Sequence, residues 1–306
     1  MADSYETFTK TEKLFLAYEP VEVIHRGSKW NEGPAWLAAS RALIWSDIPN
    51  DRLMRFDEIT GAVSVFRTPS NLPNGNAVDR EGRLITCEHG ARRVTRTEHD
   101  GSVTTLAANH AGRRLNSPND VVVKSDGTIW FSDPTYGIDT NYFGNKGERE
   151  QDGSFLYRLD PVSGHLRAMV TDMVQPNGLA FSPDESLLYV VDSGRTGGAD
   201  LPAHIRKFAV EPDGSLRGLG VFTDCPAGMF DGMRVDADGR VWAGAGDGVY
   251  CFGHDGGILG RIVIGELIIN LCFGGPKLNH LYMCAPNTLY RTILRVSGIN
   301  PWRSAA

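Results

Sequence analysis

Short runs of apolar and small residues set among polar ones, five or six positions long and cut by turn signals, dominate this chain. The pattern is clearest over residues 75–106, where 75–79, 83–87, 92–97 and 102–106 read as four successive strands. Runs of that length bounded by turn residues are strands of a hairpin-connected sheet. Between the runs, Arg80-Glu81-Gly82 and His99-Asp100-Gly101 supply the glycine that tight hairpin turns demand. Comparable turns stand at Ser125-Asp126-Gly127, Pro212-Asp213-Gly214 and Ala237-Asp238-Gly239. No stretch holds a 3.6-residue period over twelve positions. Residues 258–269 come nearest and alternate better as strand. The chain is predicted to be all-β.

One block recurs six times: a polar Glu, Asn or Asp, a small or apolar strand, a turn, and a second strand rich in aromatic and aliphatic residues. It opens at Asn31-Glu32-Gly33-Pro34, Asn74-Gly75-Asn76, Pro118-Asn119-Asp120, Pro176-Asn177-Gly178, Asp231-Gly232-Met233 and Asn270-Leu271. With Glu32, Asn76, Asn119, Asn177, Asp231 and Asn270 as markers, the steps are 44, 43, 58, 54 and 39 residues. A period of about 40–50 residues with four strands per unit is that of propeller blades. The prediction is one six-bladed β-propeller domain over 1–306, with 1–20 as an N-terminal extension. The sixth unit lacks a strand, and residues 21–25 alternate, so that segment is expected to complete the last blade and close the ring. If the markers begin the innermost strands, they share one face of the central channel. The ends of the second strands, among them Glu88-His89 and Ser132-Asp133, return to that face. Insertions 134–153 and 194–202 follow second strands and should lie over it.

Composition narrows the function. Thirty-five glycines and sixteen prolines, a sixth of the 306 residues, fit many short strands. The net charge of −6 gives no generic attraction to nucleic acid or to anionic membrane. No run approaches eighteen apolar residues, and the first ten positions are polar. A cytoplasmic protein, monomer or homodimer, is expected; a trimmed leader would place it in the periplasm. Five scattered cysteines without a Cys-x-x-Cys pair argue against a zinc knuckle and read as small buried hydrophobes.

The candidate chemistry sits at the inner-strand starts. Glu32, Asn119, Asn177 and Asp231 offer two carboxylates and two amide oxygens, a hard set suited to Ca²⁺, Mg²⁺ or Mn²⁺. The competing reading is that Asn or Asp before glycine simply makes a turn. Few protein ligands would leave positions open for water and substrate, as Lewis-acid catalysis needs. Asp231 is the expected base, taking a proton from water; attack by Asp231 itself as a nucleophile is the alternative. Asp133 is expected to contact substrate from a second-strand end, and His89 reads as structural. No Gly-x-Ser-x-Gly elbow is present.

Asn31-Glu32-Gly33-Pro34, Ser117-Pro118-Asn119-Asp120, Pro176-Asn177-Gly178 and Asp231-Gly232-Met233, in that order over most of the chain, resemble the SMP-30/gluconolactonase/luciferin-regenerating-enzyme family. The resemblance implies a six-bladed propeller with one divalent cation at the centre of one face, Ca²⁺ the expected ion and Mg²⁺, Mn²⁺ or Zn²⁺ the alternatives. It implies Glu32, Asn177 and Asp231 as metal ligands, with Asn119 touching substrate or the metal's water. Trp130 to Gly137 and Cys87-Glu88-His89-Gly90 resemble the bacterial gluconolactonase branch. Ser117 stands where the animal enzymes carry an arginine, so their sugar specificity does not transfer whole. The expected function is hydrolysis of a sugar lactone. Organophosphate or aryl-ester hydrolysis, and a non-catalytic binding propeller, are the alternatives.

Overall fold

The computed structural model describes residues 5–7, 13–16 and 19–300. It shows six four-stranded antiparallel blades around a channel. Blade 1 runs through Asn31–Leu37, Ala42–Asp47, Arg52–Asp57 and Val63–Arg67. In blade 2, Pro73–Val78, Leu84–Glu88, Arg93–Thr97 and Val103–Ala107 fall within two residues of the expected runs. Blades 3, 4 and 5 start with Val121–Val123, Pro176–Phe181 and Met233–Val235. Blade 6 has three strands of its own, Asn270–Gly274, His280–Cys284 and Thr288–Ile293. Among the described residues the helical content is one four-residue turn at Tyr136–Asp139 and three 3₁₀ turns. None of it is long and apolar enough to cross a membrane.

Ring closure follows the expected route. Glu22–Arg26 pairs antiparallel with Thr288–Ile293, placing Glu22 opposite Arg291 and Arg26 opposite Thr288. A further strand in the N-terminal extension was not expected. Tyr5–Thr7 adds a fifth strand to blade 5 by pairing with Ile258–Val263, and Arg261 clamps Glu6 at 2.8 Å. Three residues carry too little alternation to signal a strand; the pairing depends on a partner some 250 positions away. The strand expected over 258–269 ends at Val263, where the chain turns toward the next inner strand.

The core consists of slabs between neighbouring blades. Side chains of a second strand point alternately at the blade before and the blade after. Trp130 packs with Leu179 and Val190 of blade 4, while Phe131 packs with Ile85 and Cys87 of blade 2. Trp45 likewise meets Tyr282 and Cys284 of blade 6, and Ile44 meets Leu84 of blade 2. Such strands are buried on both faces, so they read as near-continuous apolar runs. Trp45, Trp130 and Trp242 are fully buried; Trp36 is only partly so. Four of the five free cysteines are buried in these slabs, as small hydrophobes.

Candidate active site

The inner strands of consecutive blades pack against one another around the channel, and their glycines explain how closely. A Cβ on Gly33 would lie 2.3 Å from the Asn74 carbonyl oxygen; one on Gly75, 2.3 Å from that of Asn119; one on Gly178, 2.4 Å from that of Asp231. Gly75 donates its N–H to the Asn119 carbonyl, Gly178 to that of Asp231, and Gly232 to that of Ile269. Glycine is required here because a neighbouring backbone occupies the space a side chain would need. The turn reading of these dipeptides is thereby displaced.

These contacts also fix the register of the ring. The positions just before the close-approach residues are Glu32, Asn74, Asn119, Asn177, Asp231 and Ile269. Two of the expected markers are therefore corrected. Asn76 lies deeper and donates to the Gly33 carbonyl and the Ser46 hydroxyl, stitching blade 2 to blade 1. Asn270 also lies one step in, where its amide donates to Glu32 Oε2 at 2.9 Å. Neither spacing nor residue type separates a ring asparagine from one two positions further along the same strand.

The ring presents oxygen. Glu32 Oε2 accepts from the Gly33 N–H at 2.6 Å and from Asn270, leaving Oε1 for the channel. Asn177 donates to Ser193 Oγ at 3.2 Å, and Ser193 donates in turn to the Phe230 carbonyl. The amide of Asn177 is thus oriented with its oxygen on the other side. Asn119, 3% exposed, has a buried Oδ1 with no hydrogen-bond partner. Asp231 is half-buried. Two carboxylates and the Asn177 amide oxygen are a donor set that a hard cation satisfies, and the orphaned Asn119 oxygen is left for a further partner. The described residues contain no cluster of three His, Cys, Asp or Glu side chains able to hold a metal; the set here depends on amide oxygens.

Electrostatics point the same way. Burial, followed by the charges of Asp231 and Asp120, pushes the Glu32 carboxyl well above the usual carboxylate range. Burial raises Asp231 to about 7, with the Asn177 amide opposing and the Asp120 charge adding. Like charges in a desolvated site resist joint ionisation until a cation arrives. Asp120 was missed as a site residue, although it lies in the Ser117–Asp120 motif. It occupies the position where blades 1, 2, 4 and 5 carry glycine, is 1% exposed, and meets Arg234 at 3.4 Å.

Asp133 lies elsewhere than expected. It is fully buried and accepts the backbone N–H groups of Asn116 and Ser117, each at 2.8 Å. It clamps the loop that delivers Asn119 and does not reach the mouth. Asp47 holds the Lys29 N–H and Asp192 holds those of Val174 and Gln175 in the same way. A second-strand terminal aspartate is thus a repeated loop clamp. His89 is structural, as expected: Nε2 meets the Asn74 amide nitrogen at 2.9 Å and Nδ1 meets the Phe143 carbonyl at 3.0 Å.

The 134–153 insertion crosses the face. Ser117 donates to the Pro134 carbonyl and accepts from the Gly137 N–H, so its hydroxyl is committed to anchoring the insertion. Tyr142 Oη donates to the Lys29 carbonyl in the link that leads into blade 1. Tyr136 Oη lies 3.4 Å from Thr196 in the second insertion; burial raises its phenol, and the nearby Asp231 charge adds to the shift. The two insertions form a collar over the ring.

The family model for the SMP-30/gluconolactonase/LRE-like region matches residues 30–287, and the chain belongs to that family. A gluconolactonase from Zymomonas mobilis is 31% identical over 303 residues, covering 91% of this chain and 82% of that protein. A pentonolactonase from Haloferax volcanii is 28% identical, covering 85% and 83%. Among solved structures, a Xanthomonas campestris gluconolactonase superimposes with a TM-score of 0.86 at 37% identity, covering 92% of this chain and 91% of that one. A calcium-binding regucalcin from Agrobacterium tumefaciens shares the fold at 20% identity and a TM-score of 0.74, covering 92% and 95%.

Proposed function

We propose that this protein is a lactonase that uses a divalent cation, Ca²⁺ the expected ion, to open the ring of a sugar lactone such as gluconolactone. The observation that carries this reading is the convergence of Glu32, Asn177 and Asp231 on one ring, with the unpartnered Asn119 oxygen on the same ring left for substrate. The names of the lactonase relatives support the substrate class. Glu32, Asn177 and Asp231 would hold the cation, which when bound polarises the lactone carbonyl and acidifies water.

The chain's own groups supply the rest. Asp231 takes a proton from the attacking water as its oxygen adds to the carbonyl carbon. The ring C–O bond then breaks, and the same proton passes from Asp231 to the departing ring oxygen, leaving a hydroxy acid. Asn270 and the Gly33 N–H fix Glu32, and Ser193 fixes Asn177, so the oxygens are set before substrate arrives. The collar around Tyr136 limits water at the reacting carbon.

The test is lactone hydrolysis followed by pH-stat with and without a chelator. Turnover should vanish on chelation and return with Ca²⁺; unchanged turnover after complete cation removal would defeat the proposal. Asp231→Asn should abolish turnover in a folded protein. Single turnover in ¹⁸O-labelled water checks the route: label in product, and none in Asp231, is expected for a general base.

A further inference from the structure

Asn74 has an unexplained atom. It occupies the ring position of blade 2, equivalent to Glu32, Asn119, Asn177 and Asp231 in their blades. It is 3% exposed, and its Oδ1 is buried without a hydrogen-bond partner.

The orientation of that oxygen is set from outside the ring. His89 is 1% exposed and both of its nitrogens are engaged. A carbonyl only accepts, so Nδ1, facing Phe143 O, carries the hydrogen. Burial holds the imidazole neutral, its pKa lowered to about 4, so Nε2 is left with a lone pair. It accepts from the Asn74 NH₂, and the amide oxygen must point away from His89. Phe143 belongs to the 134–153 insertion, and Gly137 of the same insertion packs on the His89 ring, where a Cβ would come within 2.7 Å. The collar therefore sets the Asn74 amide through one histidine.

Asn119, in the next blade, carries the same kind of orphaned oxygen. Two carbonyl acceptors at adjacent ring positions, both desolvated and unpaired, call for a ligand that donates two hydrogen bonds. Resting on the lactonase reading above, we infer that Asn74 is a specificity-determining residue whose Oδ1 accepts a hydrogen bond from a lactone hydroxyl, beside one taken by Asn119. Hydroxylated lactones satisfy both oxygens. A bare lactone leaves them buried and unpaired, and a site built to pair a substrate hydroxyl rejects the analogue that lacks it.

The experiment compares kcat/KM for glucono-δ-lactone with that for δ-valerolactone in the Ca²⁺-loaded protein. Asn74→Ala should lower the ratio at least tenfold, mostly through KM, and leave the calorimetric Ca²⁺ affinity within threefold of wild type. His89→Phe, which frees the amide to turn, should lower the ratio as well. His89→Gln, which restores an acceptor, should recover it. A ratio within twofold of wild type in Asn74→Ala overturns the inference, as does an equal loss on both lactones. A tenfold loss of Ca²⁺ affinity would place Asn74 in the cation's own shell and also overturn it. Should wild type open neither lactone, the lactonase reading fails by itself. The inference then stands or falls on binding: wild type must hold gluconate at least tenfold more tightly than valerate, and Asn74→Ala must lose that margin.

Discussion

Gly178→Ala places one methyl group between the inner strands of blades 4 and 5. The added carbon would lie 2.4 Å from the Asp231 carbonyl oxygen and 2.8 Å from Gly232 Cα, against 3.4–4 Å for ordinary contact. Both neighbours are backbone, so no rotamer change relieves the overlap; the blades must part by about 1 Å, the difference between those contacts. Overpacking of this kind costs about 1–3 kcal/mol. For a chain of this length that is a drop in Tm of roughly 2–5 °C. The effect on the site is larger, because Asn177 and Asp231 flank the wedge and move apart. A displacement of about 1 Å in a catalytic constellation costs on the order of 100-fold in rate. Gly218→Ala, on the outer strand of the same blade with no atom within 4 Å, is the matched control. Thermal unfolding, Ca²⁺ calorimetry and lactone turnover are measured on both. Wild-type Tm, Ca²⁺ affinity and turnover in Gly178→Ala would refute the claim that close approach, and not turn geometry, explains the glycine.

Asp133→Asn keeps one carbonyl oxygen for two backbone N–H groups, so one of Asn116 and Ser117 loses its acceptor. About 1–3 kcal/mol of stability should be lost, with a raised KM as the Asn119 loop loosens, read by urea denaturation and steady-state kinetics. His89, held neutral with a pKa of about 4 against 6.5 unfolded, takes up its proton later than the unfolded chain does. Stability from this group is complete above pH 6.5 and falls by about 3 kcal/mol as pH drops to 4. Asp133, raised to about 7, gives the opposite slope over pH 4–7, so the measurement is the difference between wild-type and His89→Gln denaturation curves. A flat difference over that window would contradict the buried, neutral ring. Deleting residues 1–26 strips the outer strand of blade 6 and bares the Thr288–Ile293 edge; aggregation on expression is expected. Deleting residues 1–12 removes the Tyr5–Thr7 strand, the half-exposed Glu6–Arg261 pair and the Tyr5 contacts with Glu19, Thr292 and Phe15, but leaves the closing strand in place, and scanning calorimetry should register a smaller loss of Tm.

Blade architecture was legible because strands buried between two neighbours leave a strong local pattern. Residues 83–87 and 129–133 could hardly read as anything else. The closing strand was legible by counting, since blade 6 runs short. Tyr5–Thr7 was not, because its pairing with blade 5 leaves no mark within three residues. Within the site, residue type located Glu32, Asn119, Asn177 and Asp231 on the ring, but register was out of reach in two blades. Asn74 and Asn76 are equally polar, and only the packing of Gly33 against the Asn74 carbonyl tells them apart. Asp133 misled for a related reason. A strand end near the mouth can aim its side chain at substrate or beneath the adjoining loop, and backbone N–H groups of Asn116 and Ser117 decided the matter. Asp120 left a faint trace: an aspartate at a position where four of the other blades carry glycine.

The closing strand has a consequence for the order of events at the ribosome. Glu22–Arg26 is made long before its partner Thr288–Ile293 and waits for it. Glu32, Asn177 and Asp231 belong to blades 1, 4 and 5, and Asn270 of blade 6 steadies Glu32 from across the seam. A nascent chain stopped at residue 260 already carries every proposed ligand, yet lacks blade 6, whose inner strand packs against those of blades 5 and 1. The proposed capture of a cation is therefore expected only of the finished circle, and a prematurely ended chain should be inert with its proposed ligands intact.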